Sequence, residues 1–599
     1  MILGRKSGSF GGFTRARGAS PAGGPTSAAV LLIAGIGLAI PAAALAQGAP
    51  AASRVAPATL APLRAEPDSS ITLPDQPAAG TPPGARELSV TLGGVTVDGA
   101  DTAVPAGAAQ AITDARALAG KRILVADLYA AAQRIEAAYA EAGMVLTRVT
   151  LPPQHLSDGG AVRILVVAGY IESVEVSALP KAVREPVRRR LAALIGAKGL
   201  TLAAIERHIL LAGDVPGVRL RSTLLRGDAP GAVRLVLNGQ YRAISGGISA
   251  DNNLGAPYQY EAFTIQLALN SVLGLGEQIY GQATSGPDLG QLFSADSRRR
   301  VLGGGVVLPI GNSGFTLNPE FTKVDTNPRV GNTGVQTTGL YERFALRGSY
   351  PLVRTRRETL VLTGGIEAIR EVQSARAFNL TLSKDVLRII SADVSYARSI
   401  GSDFRLTADG GLDFGIAGLG ARSGADAAAS GIPLSRLGAQ PDFSKATLRL
   451  RGDQHFGAGL DLAVTVRGQA SFTGALPAAA EFSLDGAESL SSFAQGSFNA
   501  DSGLTGRVEL ARPFAVARKP AAVATPYVFG ALGYGHLSRP TALELANLHS
   551  WSLGGGLRML LSDLQSGIAS YASVEVSHGH VTSLAQDPTR VSASISIRF

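Results

Sequence analysis

The chain has no cysteine, one tryptophan and three methionines, and only 17% of its 599 residues are charged. No disulfide can staple it, but many cytosolic proteins also lack cysteine, so this absence alone fixes no compartment. Long apolar runs are scarce too. Beyond the first 50 residues none approaches the ~20 residues that a membrane helix needs, which excludes a helical membrane protein. Charge of one sign is also modest. Residues 1–46 carry Arg5, Lys6, Arg15 and Arg17 and no acid, so the net +9 becomes 9 − 4 = +5 once they are removed. That surplus is too small to argue for nucleic-acid binding. No G-x-S-x-G elbow and no nucleotide-binding loop occur, so neither an enzyme nor a cofactor is expected.

What is present begins with a targeting signal. The four basic residues precede an apolar stretch, Ala28 to Ile40, and Ala44-Leu45-Ala46 is a small-x-small cleavage site, which predicts a signal peptide over 1–46 and export. Residues 47–85 are rich in Ala and Pro (Pro50, Pro57, Pro62, Pro67, Pro74, Pro77, Pro82, Pro83) and read as an extended periplasmic linker whose proline content argues against a long helix.

Two small α/β modules are expected next, over 86–177 and 178–240. In the first, Leu88, Val90 and Leu92 alternate, Leu128, Ile135, Tyr139 and Ala142 recur at helical spacing up to Gly143, and strands follow at 145–149 and 161–167. The second places helices at 183–195 and 202–211 before strands at 219–225 and 233–237, so the order β-α-α-β-β recurs.

From 241 to 599 the texture changes to alternating segments of roughly ten residues. Phe263, Ile265, Leu267 and Leu269 share one face against Thr264, Gln266 and Asn270, and Val591, Ala593, Ile595, Ile597 and Phe599 share one against Ser592, Ser594, Ser596 and Arg598. Period two gives each strand one apolar and one polar surface. Lipid can cover the first and a wet lumen the second, and closure follows because an open sheet edge cannot sit in hydrocarbon. Sixteen strands are predicted, starting near 242, 259, 276, 297, 313, 338, 358, 384, 403, 443, 459, 503, 524, 549, 567 and 589. Short connections follow the even strands and long ones, such as 415–442 and 474–502, tend to follow the odd ones. Short periplasmic turns and long external loops have this asymmetry.

Two strings then carry a family resemblance. Leu151-Pro152-Pro153-Gln154-His155-Leu156 with Gly159 and Val162-Arg163-Ile164 is one, and Ile205-Glu206-Arg207-His208-Ile209-Leu210-Leu211-Ala212-Gly213-Asp214-Val215-Pro216-Gly217-Val218, continued by Arg221-Ser222-Thr223-Leu224, is the other. Over about 86–599 the chain resembles the TpsB transporters of two-partner secretion, the haemolysin secretion and activation group. The resemblance implies two POTRA domains before a sixteen-stranded outer-membrane barrel in a Gram-negative cell, and a mainly β fold. It also implies a secreted exoprotein with a two-partner secretion domain as partner, adhesin-like or haemolysin-like. Outer-membrane lipid would surround the barrel, and the barrel-assembly machinery would read the terminal Phe599. A barrel-assembly factor that inserts membrane proteins is the alternative reading, and a passive porin would not need the modules.

Under the same resemblance, 474–502 matches the large external loop that folds back into the lumen. Leu476-Pro477, Glu481-Phe482-Ser483-Leu484, Gly486, Gly496, Asp501-Ser502-Gly503 and Arg507-Val508-Glu509-Leu510 fit its flanks. Its tip departs. Leu490-Ser491-Ser492-Phe493 stands where the family has an Arg-containing tip, with Ser491 at the Arg, and Phe529-Gly530-Ala531-Leu532-Gly533 puts Ala531 where the wall Asp belongs. Losing one partner of such a pair costs roughly 3–5 kcal/mol, whereas losing both can be nearly neutral. The loop is therefore expected to stay in the lumen, held by hydroxyl hydrogen bonds from Ser491 or Ser492 and by packing of Phe493.

Partner capture by strand addition and shallow apolar grooves points to Val162, Ile164 and Val166 and to Val233, Leu235 and Leu237, with module core as an equally weighted reading. His578 and His580 lie two apart on one strand face, without a third ligand, and read as solvated lumen or loop residues rather than a metal site. Arg451-Gly452-Asp453 reads as a chance tripeptide at a strand end. Arg298 to Arg300 read as a solvated charge run at the barrel mouth.

Overall fold

The computed structural model describes residues 51–57, 59–60, 70–72, 81–100, 104–286, 290, 294, 297–329, 335–457, 459–518, 521–563 and 567–599. The expected signal peptide lies outside the described residues, as does much of the proline-rich stretch. Within that stretch one short strand forms, β1 (Ser70–Thr72).

The first module contains β2 (Ser89–Thr91), β3 (Gly94–Asp98), α1 (Ala106–Arg116), β4 (Arg122–Leu124), α2 (Val125–Glu141), β5 (Arg148–Thr150) and β6 (Ala161–Val167). Leu128, Ile135 and Tyr139 lie on one stripe of α2 and pack against Val162, Ile164 and Val166 of β6. Gly143, at φ +83, ends the helix in the left-handed region. The order β-α-α-β-β calls for two helices here, but the residues of α1 had not been assigned, because among its buried residues only Ile112 is large.

The second module runs β7 (Tyr170–Glu175), α3 (Lys181–Leu191), α4 (Leu202–Gly213), β8 (Val218–Arg226) and β9 (Ala232–Tyr241). Its sheet has the order β1-β8-β9-β7. Strand β7 pairs with β9, so this module starts at Tyr170 rather than 178. Val187, Leu191, Ile205 and Ile209 from the helices meet Leu220, Leu224, Leu235 and Leu237 of the sheet.

A closed antiparallel barrel of sixteen strands follows. They are β10 (Ile244–Asp251), β11 (Ala262–Asn270), β12 (Gln278–Ser285), β13 (Arg299–Pro309), β14 (Thr316–Thr326), β15 (Thr337–Arg354), β16 (Glu358–Ala375), β17 (Leu380–Ile400), β18 (Phe404–Gly415), β19 (Ser444–Phe456), β20 (Leu460–Ser471), β21 (Ser502–Ala511 continued by Phe514–Arg518), β22 (Ala521–His536), β23 (Asn547–Asp563), β24 (Ile568–Val581) and β25 (Thr589–Arg598). Every predicted start falls within four residues of the observed one, the widest gap being 384 against Leu380. Strand β21 breaks around Pro513, which cannot donate to a ladder. Strand β10 pairs with β25, and Gly246 and Phe599 exchange two 3.0 Å backbone hydrogen bonds that complete the closure.

The two faces of the wall differ as period two requires. Ile265, Leu267, Phe344, Leu362, Val464, Val508 and Leu553 are exposed on the outside. Inside, polar side chains pair across neighbouring strands: Thr264 with Thr284 at 2.9 Å, Gln266 with Gln282 at 2.9 Å and Ser573 with Ser594 at 2.7 Å. No helix among the described residues is long and apolar enough to cross a membrane, so the strands are the elements suited to it.

Candidate functional site

The lumen is the site, and it is occupied. A barrel of sixteen strands is wide enough to leave an aqueous bore, but here two segments that belong to no wall strand occupy it. One is the start of the described chain and the other is the loop between β20 and β21.

Residues 51–57, 59 and 60 run along the lumen. Ala52, Val55 and Leu60 are buried there, Val55 against Leu254 and Tyr258 near the long-loop end, and Leu60 against Ala268, Tyr280 and Val307 further in. Ser53 donates from its backbone N and its Oγ to Glu371, at 2.8 and 2.9 Å. Arg299 donates to the Val55 carbonyl at 2.6 and 2.9 Å, and the Leu60 N donates to Glu320 at 3.2 Å. This stretch, expected as a periplasmic linker, therefore enters the barrel as a single 3-10 turn (Ala52–Val55) with extended flanks. Arg299, expected as part of a solvated run, is buried because the incoming carbonyl gives it a partner.

The loop between β20 and β21 folds back beside that segment. Phe482–Ser483 pairs with Asn499–Ala500 into a small hairpin. Asp485 pins it, accepting from the backbone N of Gly496 at 2.9 Å and of Phe498 at 2.8 Å and from Ser483 Oγ at 2.9 Å. Burial pushes the Asp485 carboxyl above the usual range, and these hydrogen bonds pull against it. Asp501 fastens the base by accepting from the backbone N of Leu476 and Ser538, both at 2.7 Å.

Glu481 joins the two segments. Its fully buried carboxylate binds Arg54 of the first at 2.6 Å and Arg436 of the loop between β18 and β19. Arg54 and Arg436 carried no signal in the sequence, since each belongs to a segment without periodicity, and Glu481 was read only as part of the loop's flank.

At the loop tip Leu490, Ser491, Ser492 and Phe493 are all buried. Ser491 Oγ accepts from Arg507 of β21 at 3.1 Å. Ser492 Oγ has no hydrogen-bond partner among the described residues and instead sits against Gly579, where an added Cβ would lie 2.1 Å from it. Phe493 packs edge-on to Phe498, with ring centroids 5.0 Å apart, in a cluster that includes Phe529 and Ala531.

Ala531 stands in register opposite Arg507. The lumenal cation is thus on the wall, one strand away, rather than on the loop. Arg507 lies 3.4 Å above the Phe529 ring and binds Glu575 at 2.8 Å and Glu509 at 3.3 Å, while Arg558 binds Glu509 at 2.7 Å. The sequence did hold a signal for this: Arg507 and Glu509 are two apart, so both face inward on an alternating strand. Beside the two segments a cavity of about 1290 Å³ remains, lined by groups that include Arg54, Glu367, Asp393, Lys445, Glu481 and Tyr527.

Of the two readings given to the module residues singled out in the sequence, the structure fits module core. Val162, Ile164, Val166, Val233, Leu235 and Leu237 are all in the module cores. Strands β6 and β9 are internal in their sheets, so neither has a free edge for strand addition, and the apolar residues face helices rather than a groove. Outside the barrel, His578 and His580 share the outer face with Val574 and Val576 and lie beside Trp551, 5.7 and 6.4 Å between ring centroids, rather than in the lumen. Arg451 and Asp453 simply pair with each other at 2.7 Å along β19.

The second motif string has a mechanical place. Asp214 takes Arg354 through two hydrogen bonds of 2.7 and 3.0 Å, Glu206 binds Arg356 at 2.9 Å, and Arg207 donates to the Pro351 and Leu352 carbonyls. All of these partners belong to or border the turn between β15 and β16, so the charged residues of the string clasp the module to the barrel. Gly217, at φ +78, has no room for a Cβ, which would meet the Arg242 carbonyl at 2.2 Å.

The model of the family "Haemolysin secretion/activation protein ShlB/FhaC/HecB" matches residues 232–559, and that of "POTRA domain, ShlB-type" matches 90–169. Among solved structures the fold is similar to CdiB from Escherichia coli, with TM-score 0.68 at 18% identity over 88% of this chain and 92% of that one. It is also similar to CdiB from Acinetobacter baumannii, with TM-score 0.58 at 13% identity over 88% and 95%. No curated protein matches in sequence.

Proposed function

The chain belongs to the ShlB/FhaC/HecB family of haemolysin secretion/activation proteins, outer-membrane transporters of two-partner secretion, and from that premise we propose that it passes one unfolded exoprotein from the periplasm to the cell surface. The observation that carries this reading is the filled lumen. The wall of the barrel is a closed ladder of backbone hydrogen bonds, whereas its contents are held in place only through side chains and single backbone groups, so they can move out of the lumen while the wall stays closed. Vacating 51–60 and the loop tip at 490–493 turns a stopper into a bore lined by hydroxyls, amides and paired charges, which suits an extended polypeptide with its backbone still hydrated.

The two modules lie in the periplasm in this reading and receive the exoprotein, an adhesin-like or haemolysin-like chain that folds outside and so does not slide back. Ser491 and Phe493 hold the loop in the resting state against Arg507 and the Ala531 wall, and Phe599 is the signal read during assembly. Deleting the gene in its host should leave a large exoprotein encoded beside it in the periplasm, and reintroducing the full chain should restore its release. Continued secretion in the deletion strain, or a general fall of outer-membrane proteins instead, would remove this reading in favour of an assembly factor.

A further inference from the structure

At the long-loop end the outer face of the wall is not uniform. On β22 to β24 it carries the rings of Tyr534, His549, Trp551 and His578, an aromatic belt of the kind that sits at headgroup level. About half a turn round the barrel, on β13 to β16, the same level is ionic. Alternation puts Arg300, Lys323, Asp325, Glu342 and Arg370 on that outer face, since their neighbours Arg299, Val324, Tyr341 and Glu371 are buried inside. Register aligns them: Arg300 lies opposite Asp325, Lys323 opposite Glu342, and Glu342 opposite Arg370.

The pairing leaves cationic donors over. Asp325 takes Arg300 at 2.6 and 3.1 Å, and Glu342 takes Arg370 at 3.2 Å but Lys323 only at 3.7 Å. The Lys323 ammonium makes no hydrogen bond among the described residues, and the Arg370 guanidinium, which has more donors than one carboxylate uses, keeps others for a further acceptor. Both border a cavity of about 330 Å³, together with Asn327, Thr338 and Ser374. Two residues further along these strands toward the membrane midplane, Phe321 and Phe344 stand opposite each other and are exposed.

We propose that this pocket is the seat of a phosphorylated glycolipid of the outer leaflet. Lys323 and Arg370 bind a phosphate from either side of Glu342, whose carboxylate holds the two cations in place. Arg300 adds positive field, Asn327, Thr338 and Ser374 meet the sugar, and the acyl chains run over Phe321 and Phe344. Charge complementarity decides the occupant. Charges on the lipid face of a strand gain nothing from hydrocarbon, and rings fill the same level on β22 to β24. Cations with unused donors beside a polar cavity instead fit a bound phosphate. The proposal needs a barrel in the outer membrane but no passage of an exoprotein, so its failure and the failure of the secretion reading are distinguishable.

The test measures retention of diphosphoryl lipid A by the purified mature protein in detergent micelles, using native mass spectrometry. Each bond from a cation to the phosphate is charge-assisted, so Lys323→Ala and Arg370→Ala should each weaken retention at least about tenfold. Lys323→Arg keeps the charge and should recover most of the affinity, and Trp551→Ala, in the aromatic belt, should leave it unchanged. Dephosphorylated lipid A lacks the phosphate and phosphatidylglycerol lacks the sugar, so both should bind more weakly, and inorganic phosphate should not displace lipid A. The contact is ionic, so added salt should weaken it in the unaltered protein, which tests the seat even if a variant misfolds. Absence of retention, or equal retention in Lys323→Ala, Arg370→Ala and the unaltered protein, overturns the seat. Phosphatidylglycerol held as tightly as lipid A, or displacement by inorganic phosphate, overturns the glycolipid as its occupant.

Discussion

Glu481→Gln isolates the join between the two lumenal segments. The glutamine keeps the shape of the side chain and removes its charge from between Arg54 and Arg436. Breaking a buried ion pair by deleting one partner generally costs about 3–5 kcal/mol. Here Arg436 keeps Asp501 at 3.8 Å and the Arg54 side chain is 24% exposed, so part of that loss is made up elsewhere. The share falling on the N-terminal segment is that of one charge-assisted hydrogen bond, about 1.5–3 kcal/mol. At 1.4 kcal/mol per decade this is a roughly 10- to 150-fold rise in the emptied population. Channel recordings on the mature protein should show that rise for Glu481→Gln and a similar one for Arg54→Ala. The double variant should add little to the larger single effect, because both remove the same bond. Independent addition of the two effects, or opening frequencies that stay at the level of the unaltered protein, would refute the reasoning.

Leu60→Ala should also loosen the plug, since truncating a buried leucine costs about 2–5 kcal/mol, and the same recordings would show it as more frequent opening. Ser492→Cys with Gly579→Cys should form a disulfide on mild oxidation, because a Cβ on residue 579 would lie 3.0 Å from that of Ser492, close to disulfide range; the oxidised form should stop secretion and a reductant should restore it. Arg507→Ala strands the Glu575 carboxylate and should lower the temperature at which the barrel loses its compact gel mobility, whereas Arg507→Ala with Glu575→Gln should recover most of that loss. Asp214→Ala breaks a partly exposed clasp and should leave barrel stability within about 1 kcal/mol, while hydrogen exchange in the turn near 351–357 rises.

The barrel was legible because each of its strands must show lipid one face and water the other, and that requirement writes period two into the sequence. Other features left weaker marks. The helix α1 buries mostly alanine and so lacks a readable apolar stripe, and residues 170–175, read as no element, fell within the first module's bounds although their strand β7 pairs in the second module's sheet. The lumenal position of 51–60 was not legible at all. It holds one proline, Pro57, and too few large apolar residues to show a period, and its partners are remote, Ser53 reaching Glu371 across 318 residues and Arg54 reaching Glu481 across 427. The loop anchor was half legible: the missing Arg and Asp at Ser491 and Ala531 could be read, but the cation that stands on the wall, Arg507, had been noticed only as part of a flanking string.

Those same separations bear on the order in which the molecule is made. Strands β10 to β25 all emerge from the ribosome after residues 51–60, yet in the finished structure they surround them. Threading through a completed ring is rare in protein topology, so during biogenesis either the sheet curls shut around a waiting strand of chain or the N-terminus slips in once the ring exists. In both cases its seat forms only after the most distant pairings have been made. What is assembled last at so little local advantage is also the part best placed to come apart first.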